Sequence, residues 1–383
     1  MQVSINNPIQ ATWIFISIFL LALLFSIKPQ KANKDNNNKG FFPIVLTQEL
    51  KGLAILAVVF SHIGYFLAYQ HEFLFPLTVL AGVGVNIFLF LSGLGLTISS
   101  FKKDLSVWSF YKQRLLKLFV PFWLILILFF TADYFFLNIN YSWQFISKAF
   151  LGIFTTADLY HDVNSPLWYF TLILFYYAIF PLVFSKKRAW FSAIMLFAIP
   201  YLILRQNPEV LQNIIGMYKV HLVAFPLGVF TVWLFSKRDF TELINLIKKD
   251  SIVSWIIKNL GKIVRFIFMI GLLFFINYFA FHAGIGEKYY VEEFISIITS
   301  IAIIILFALK KFEFRLLSLF GVYSYEIYLL HWPIMYRYDF LYKFISGWLA
   351  TIIYLILFLV FGLFLRKVSD KVLAIIYKSC KNF

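Results

Sequence analysis

The segment LKGLAILAVVFSHIGYF sets Lys51 and His62 eleven positions apart inside a long apolar run. At 3.6 residues per turn, eleven helical steps return to within about 20° of the same face, with a rise of about 16 Å. That rise is roughly half of a ~30 Å hydrocarbon core, so the pair lines one stripe from the membrane surface to near its midplane. Ionisable groups at such depth are costly, and they mark binding sites or proton pathways. The competing reading is plainer: His62 hydrogen-bonds a neighbouring helix, and Lys51 only marks the cytoplasmic side.

Other polar groups sit in comparable runs. In GVYSYEIYLLHWPI, Ser324, Tyr328 and His331 follow an i, i+4, i+7 spacing and share a helix face, with Pro333 able to bend the helix just beyond them. His331 lies about 24 Å of rise above Arg315, nearer the far side. GVGVNIFLFLSG carries Asn86 near mid-depth, and its small residues Gly82, Gly84, Ser92, Gly93 and Gly95 suit close helix packing. In FYKQRLLKLFVPFW, Arg114 and Lys117 share a face at a span entrance, where paired cations suit phosphate groups. In NSPLWYFTLILFYYAIFP, Trp168 and Tyr169 serve either as interfacial anchors or as sugar-stacking surfaces. His71, His161, His221 and Asp133 lie near span ends, where ordinary solvation is expected.

The elements that hold these groups follow from composition. Hydrophobic residues make up 62% of the chain and charged ones 14%, with a mean hydropathy of +0.83; a soluble domain carries about 25% charged residues. The excess is concentrated in runs such as Phe119–Phe130 and Ile352–Leu365, so the solvent for them is lipid. The expected fold is an all-α integral membrane protein of about eleven transmembrane helices. Its spans fall near 11–27, 52–70, 77–99, 116–137, 167–185, 189–204, 217–236, 263–282, 291–309, 316–336 and 344–365.

The formal charge of +16 does not indicate nucleic acid, because its distribution follows the spans. Of 34 lysines and arginines, all but Lys148, Arg205, Lys219, Lys288, Arg337 and Lys343 fall on one side. The positive-inside rule then puts the N-terminus outside and the C-terminus in the cytoplasm. Cys380 is the single cysteine, so no internal disulfide forms. Met1–Gln10 has no basic residue and no small-residue cleavage site follows Ile27, which favours a first span over a removable signal peptide.

Lys28–Gly40 is polar and of low complexity, and reads as a flexible tether. The expected organisation is therefore an N-terminal span and tether over 1–40, a ten-helix membrane domain over 41–370 and a basic tail over 371–383. Residues 237–262 read as an amphipathic helix on the cytoplasmic interface, and 138–165 as an external segment able to form a small cap.

The order of these segments resembles the membrane-bound acyltransferase-3 family. Lys51 and His62 match the family's basic residue, ten intervening residues and histidine. GVNIFLFLSGLGL, RLLKLFVPFW and SYEIYLLHWPI match three further blocks, and LWYFTLILFYYAIFP resembles a family helix that opens with Leu-Trp and ends in Pro. The resemblance runs from about Leu46 to Leu365. Three positions depart from the pattern: Lys51 replaces the usual Arg, which removes the bidentate fork; Ile173 stands where many members have Glu; and Asn86 stands where many have Asp.

The resemblance implies transfer of an acyl group, most often acetyl, from cytoplasmic acyl-CoA to a hydroxyl of a cell-surface or lipid-linked glycan, at a bacterial cytoplasmic membrane. Acyl-CoA would be a co-substrate, with no bound cofactor and no metal. Lys51, Arg114 and Lys117 would hold the coenzyme A phosphates, and His62 would act as general base. Asn86, Trp168, Ser324, Tyr328 and His331 would contact the acceptor or the thioester. The rival from another class is a glycolipid or polysaccharide transporter, which shares many helices and buried polar groups but favours paired repeats.

Overall fold

In the apolar runs no water reaches the backbone, so each peptide group must find its partner within its own segment. The outcome in the computed structural model, which describes residues 2–29, 42–103, 106–158, 162–211, 214–236, 251–282 and 289–379, is an all-α polytopic membrane protein. In chain order the helices are α1 (Pro8–Phe25), α2 (Ile44–Ser61), α3 (Ala81–Lys102), α4 (Val107–Leu137), α5 (Trp143–Phe150), α6 (Trp168–Val183) and α7 (Ala189–Arg205). Next come α8 (Ile215–Lys219), α9 (Ala224–Ser236), α10 (Ser251–Ala280), α11 (Tyr289–Leu309), α12 (Arg315–Val322), α13 (Ser324–Trp332) and α14 (Gly347–Ser379). Among the described residues, nine helical segments are long and apolar enough to cross a membrane, and α7 is a shorter apolar helix of 17 residues.

Two expected elements take a different form. The segment expected to span 316–336 is not one helix: Tyr323 separates α12 from α13, and α13 passes into a π-helical turn over Pro333–Arg337. Residues 251–262 are not a separate interfacial helix, because α10 runs through them without interruption; 237–250 lie outside the described residues. His161 and Cys380 also lie outside them. Within 138–165 the chain forms α5, started by the Ser142 hydroxyl, which accepts from the Phe145 N–H at 3.2 Å.

The second helix is the centre of the assembly. A Cβ on Gly52 would overlap the carbonyl oxygen of Leu317, and a Cβ on Gly321 would overlap that of Gln48, so α2 and α12 cross backbone to backbone. Glu49 strengthens the same crossing. Its Oε1 lies 2.6 Å from Lys310 Nζ and accepts the Phe314 N–H at 2.6 Å, just ahead of α12. Gly84 and Gly93 of α3 bring its backbone against Ala54 and Phe225 in the same way, whereas Gly95 faces nothing within 4 Å.

Gly321→Ala is expected to lower the melting temperature of the solubilised protein clearly, since overpacking a filled site costs about 1–3 kcal/mol and the obstructing atom here is rigid backbone. Gly95→Ala, with open space at its Cβ, is expected to leave it unchanged or slightly raised.

The first helix is attached at both ends. At one end Val3 pairs with the chain after α2: its N–H donates to Leu67 O at 2.8 Å and its carbonyl accepts from Tyr69 N at 2.9 Å. At the other end a short antiparallel ladder joins Ile27–Pro29 (β1) to Phe312–Phe314 (β2). Between them Phe15 packs edge-on against Phe60 of α2.

Candidate functional site

One face of α2 borders a cavity of about 210 Å³ whose lining includes both Lys51 and His62. The eleven-residue helical spacing thus runs along one cavity wall. The opposite walls come from Val85, Phe88 and Ser92 of α3, from α6 and its entry turn (Pro166, Trp168, Tyr169, Ile173), and from Ser324 and Tyr328 of α13. Most of the lining is aromatic or aliphatic, which excludes water and strengthens electrostatic interactions inside. Ile173 faces this space, so the residue type that departs from the resemblance bears directly on the cavity.

His62 opens a second π-helical turn, His62–Leu67, where α2 widens. Such turns recur at functional sites because they re-aim side chains out of helical register. His62 Nδ1 lies 2.7 Å from Nε2 of His331, and the two ring planes are 5° apart. The ring centroids are 5.0 Å apart, close to the N···N distance plus both ring radii, so the imidazoles lie end to end in one plane rather than face to face. Trp332 closes the edge of His62 at 5.0 Å. His331 is fully buried and does not line the cavity; it stands behind His62.

The charges acting on Lys51 are Arg366, Arg114 and Glu326. Arg114 is half-buried and donates to Ser99 Oγ at 3.3 Å; Arg366 donates to Val322 O at 2.5 Å. Neither Arg114, Arg366 nor Lys117 lines the cavity itself; Lys117 is exposed and, unlike the two arginines, is not among the charges acting on Lys51. Arg366 is the charge that acts on Lys51 instead. Neither Arg366 nor Glu326 stood out in the sequence, although an acid inside SYEIYLL was a usable signal.

Asn86 is buried behind the cavity wall, not on it. Its side chain donates to Ser296 Oγ at 2.8 Å and its Oδ1 lies 2.7 Å from His221 Nδ1. His221 in turn lies parallel to Trp168, centroids 5.7 Å apart, so Asn86 supports a lining residue indirectly. Trp168, Ser324 and Tyr328 do reach the cavity, though the Tyr328 hydroxyl is engaged with Pro166 O at 2.7 Å.

Ordinary solvation fails for His221, which is 2% exposed, and for Asp133, which is 0% exposed. Asp133 accepts from Arg337 Nη1 at 2.5 Å, and from the hydroxyls of Tyr141 and Tyr338, each at 2.6 Å. Burial, then the neighbouring carboxylate, push both phenols above their ordinary range, so they remain donors to Asp133. The cluster clamps the π turn that follows His331 to the end of α4. His71, by contrast, is exposed as expected.

Residues 50–367 match the family model described as an acyltransferase domain, that of acyltransferase-3, and the chain belongs to this family of membrane acyltransferases. The match covers both histidines, Lys51 and Arg366, and it decides the class in favour of an acyltransferase over a transporter. No curated protein and no solved structure matches the chain.

Proposed function

We propose that the protein transfers an acyl group, acetyl as the first case to test, from cytoplasmic acyl-CoA to a hydroxyl of a cell-surface or lipid-linked glycan at a bacterial cytoplasmic membrane. One observation carries the reading: a cationic group and a deep imidazole border the same apolar cavity. The lysine and arginine bias supports a cytoplasmic Lys51 end, with the N-terminus outside and the C-terminus inside. The anionic donor would then meet Lys51, Arg114 and Arg366, with its pantetheine arm along the α2 face. The cavity of about 210 Å³ is too small for a whole coenzyme, so the thioester end alone would enter.

In the reaction the acceptor hydroxyl gives its proton to His62 as its oxygen attacks the thioester carbonyl. The C–S bond breaks, and the departing thiolate takes that proton. Trp168, Ser324 and Tyr328 form the surface against which the acceptor sugar would rest. The family match supports acyl transfer in general; donor and acceptor are what the experiment addresses.

Purified protein in lipid nanodiscs is expected to cleave radiolabelled acetyl-CoA when a membrane glycolipid fraction is supplied, with label moving to the glycan. Lys51→Gln is expected to raise KM for acetyl-CoA about tenfold or more with kcat nearly held, as for loss of a charge-assisted contact. Arg366→Gln, whose side chain is exposed, is expected to raise it less. Absence of thioester cleavage with acetyl, succinyl and longer acyl donors alike would overturn the reading.

A further inference from the structure

We propose that His331 is a positioning residue that fixes the tautomer of His62, leaving His62 Nε2 as the unprotonated nitrogen presented to the cavity. The inference starts from backbone carbonyls. His331 Nδ1 lies 3.1 Å from Ile327 O and 2.9 Å from Tyr328 O, both in the preceding turn of α13. Carbonyl oxygens only accept, so His331 Nδ1 carries the hydrogen. In the neutral ring Nε2 is then an acceptor. Its partner at 2.7 Å is His62 Nδ1, which must therefore donate. The remaining nitrogen of His62, Nε2, makes no hydrogen bond among the described residues, and His62 lines the cavity.

The arrangement has a direction. A free neutral histidine side chain favours the hydrogen on Nε2, and a His62 in that form would present a donor, not a base, to the acceptor hydroxyl. The carbonyls of α13 enforce the opposite form through His331. They also hold it in plane, since an N–H points along its own ring plane and the two planes differ by only 5°. A second-residue partner that sets which imidazole nitrogen is basic is a recurring device; here it is neutral, where a carboxylate is more usual. The contribution to catalysis rests on the reading of His62 as general base, whereas the tautomer itself does not.

The test is nitrogen NMR on detergent-solubilised protein with ¹⁵N-labelled histidine at mildly alkaline pH, the His62 signals being identified by their loss in His62→Gln. The expected result is His62 protonated on Nδ1 in the wild-type protein. Protonation on Nε2 there would overturn the proposal, whatever any variant does and whether or not acyl transfer is found. His331→Phe removes the acceptor at similar volume, and His62 is expected to revert to the Nε2–H form. A folded His331→Phe protein that kept the Nδ1–H form would also overturn it. His331→Gln, whose Oε1 can accept, is expected to keep the Nδ1–H form. With acetyl-CoA transfer as the readout, kcat is expected to fall by about 10² or more in His331→Phe, with KM unchanged.

Discussion

His62→Ala protein, inserted in normal amount, is expected to transfer labelled acetyl groups about 10²- to 10⁴-fold more slowly than wild type, with KM for acetyl-CoA little changed. The range is that of a positioned general base. The cause is the absence of any substitute in the cavity. Among the described residues, Lys51 and His62 are the only titratable lining residues besides tyrosines, and Lys51 is eleven residues away along the helix. Tyr328 is already bonded to Pro166, and His331 lies behind the wall with Nδ1 turned to backbone. If coenzyme A binds at the Lys51 end as proposed, its contacts are unaffected by the change at His62, so the loss should fall on kcat. Wild-type transfer by a normally inserted His62→Ala protein would remove His62 from the mechanism.

The largest effect on stability is expected at Asp133. Replacing it with Ala strands Arg337, a side chain only 8% exposed, and removes the acceptor of two tyrosine hydroxyls. Breaking one partner of a buried pair costs about 3–5 kcal/mol, which should appear as a large fall in melting temperature of the solubilised protein. Arg337→Met combined with Asp133→Leu should recover much of that loss, because no buried charge is then left alone. Equal instability of the double and single variants would show that the clamp works through shape instead. Because the Arg337 π turn follows directly on His331 and Trp332, activity should fall alongside stability.

What the sequence made legible was what lies along one helix. The Lys51–His62 stripe needs only 3.6-fold periodicity and the depth of the bilayer, and both residues do border one cavity. The spans were legible for the same reason, since apolar length is written locally. The histidine pair was not, because its members are 269 positions apart and each lies next to a π turn that rotates side chains out of ideal register. Arg366 and Lys117 show the same limit: depth can be counted from a span end, but rotation toward a neighbour depends on which helix that neighbour is. Asp133 and His221 were correctly placed near span ends. They are buried because groups distant in sequence meet them, Arg337 and Tyr338 at Asp133 and Asn86 and Trp168 at His221.

The attachment of the first helix carries a consequence for the order in which the molecule is completed. Its Val3 end can pair with Leu67 and Tyr69 as soon as α2 has left the ribosome. Its other end pairs with Phe312–Phe314, and Ser26 O accepts the Arg315 N–H at 3.1 Å, from residues synthesised long after it. Contacts so far apart in sequence form late. The helix made ahead of α2 thus completes its seating only after α11 has followed, at the strand that leads straight into α12, against which α2 is set.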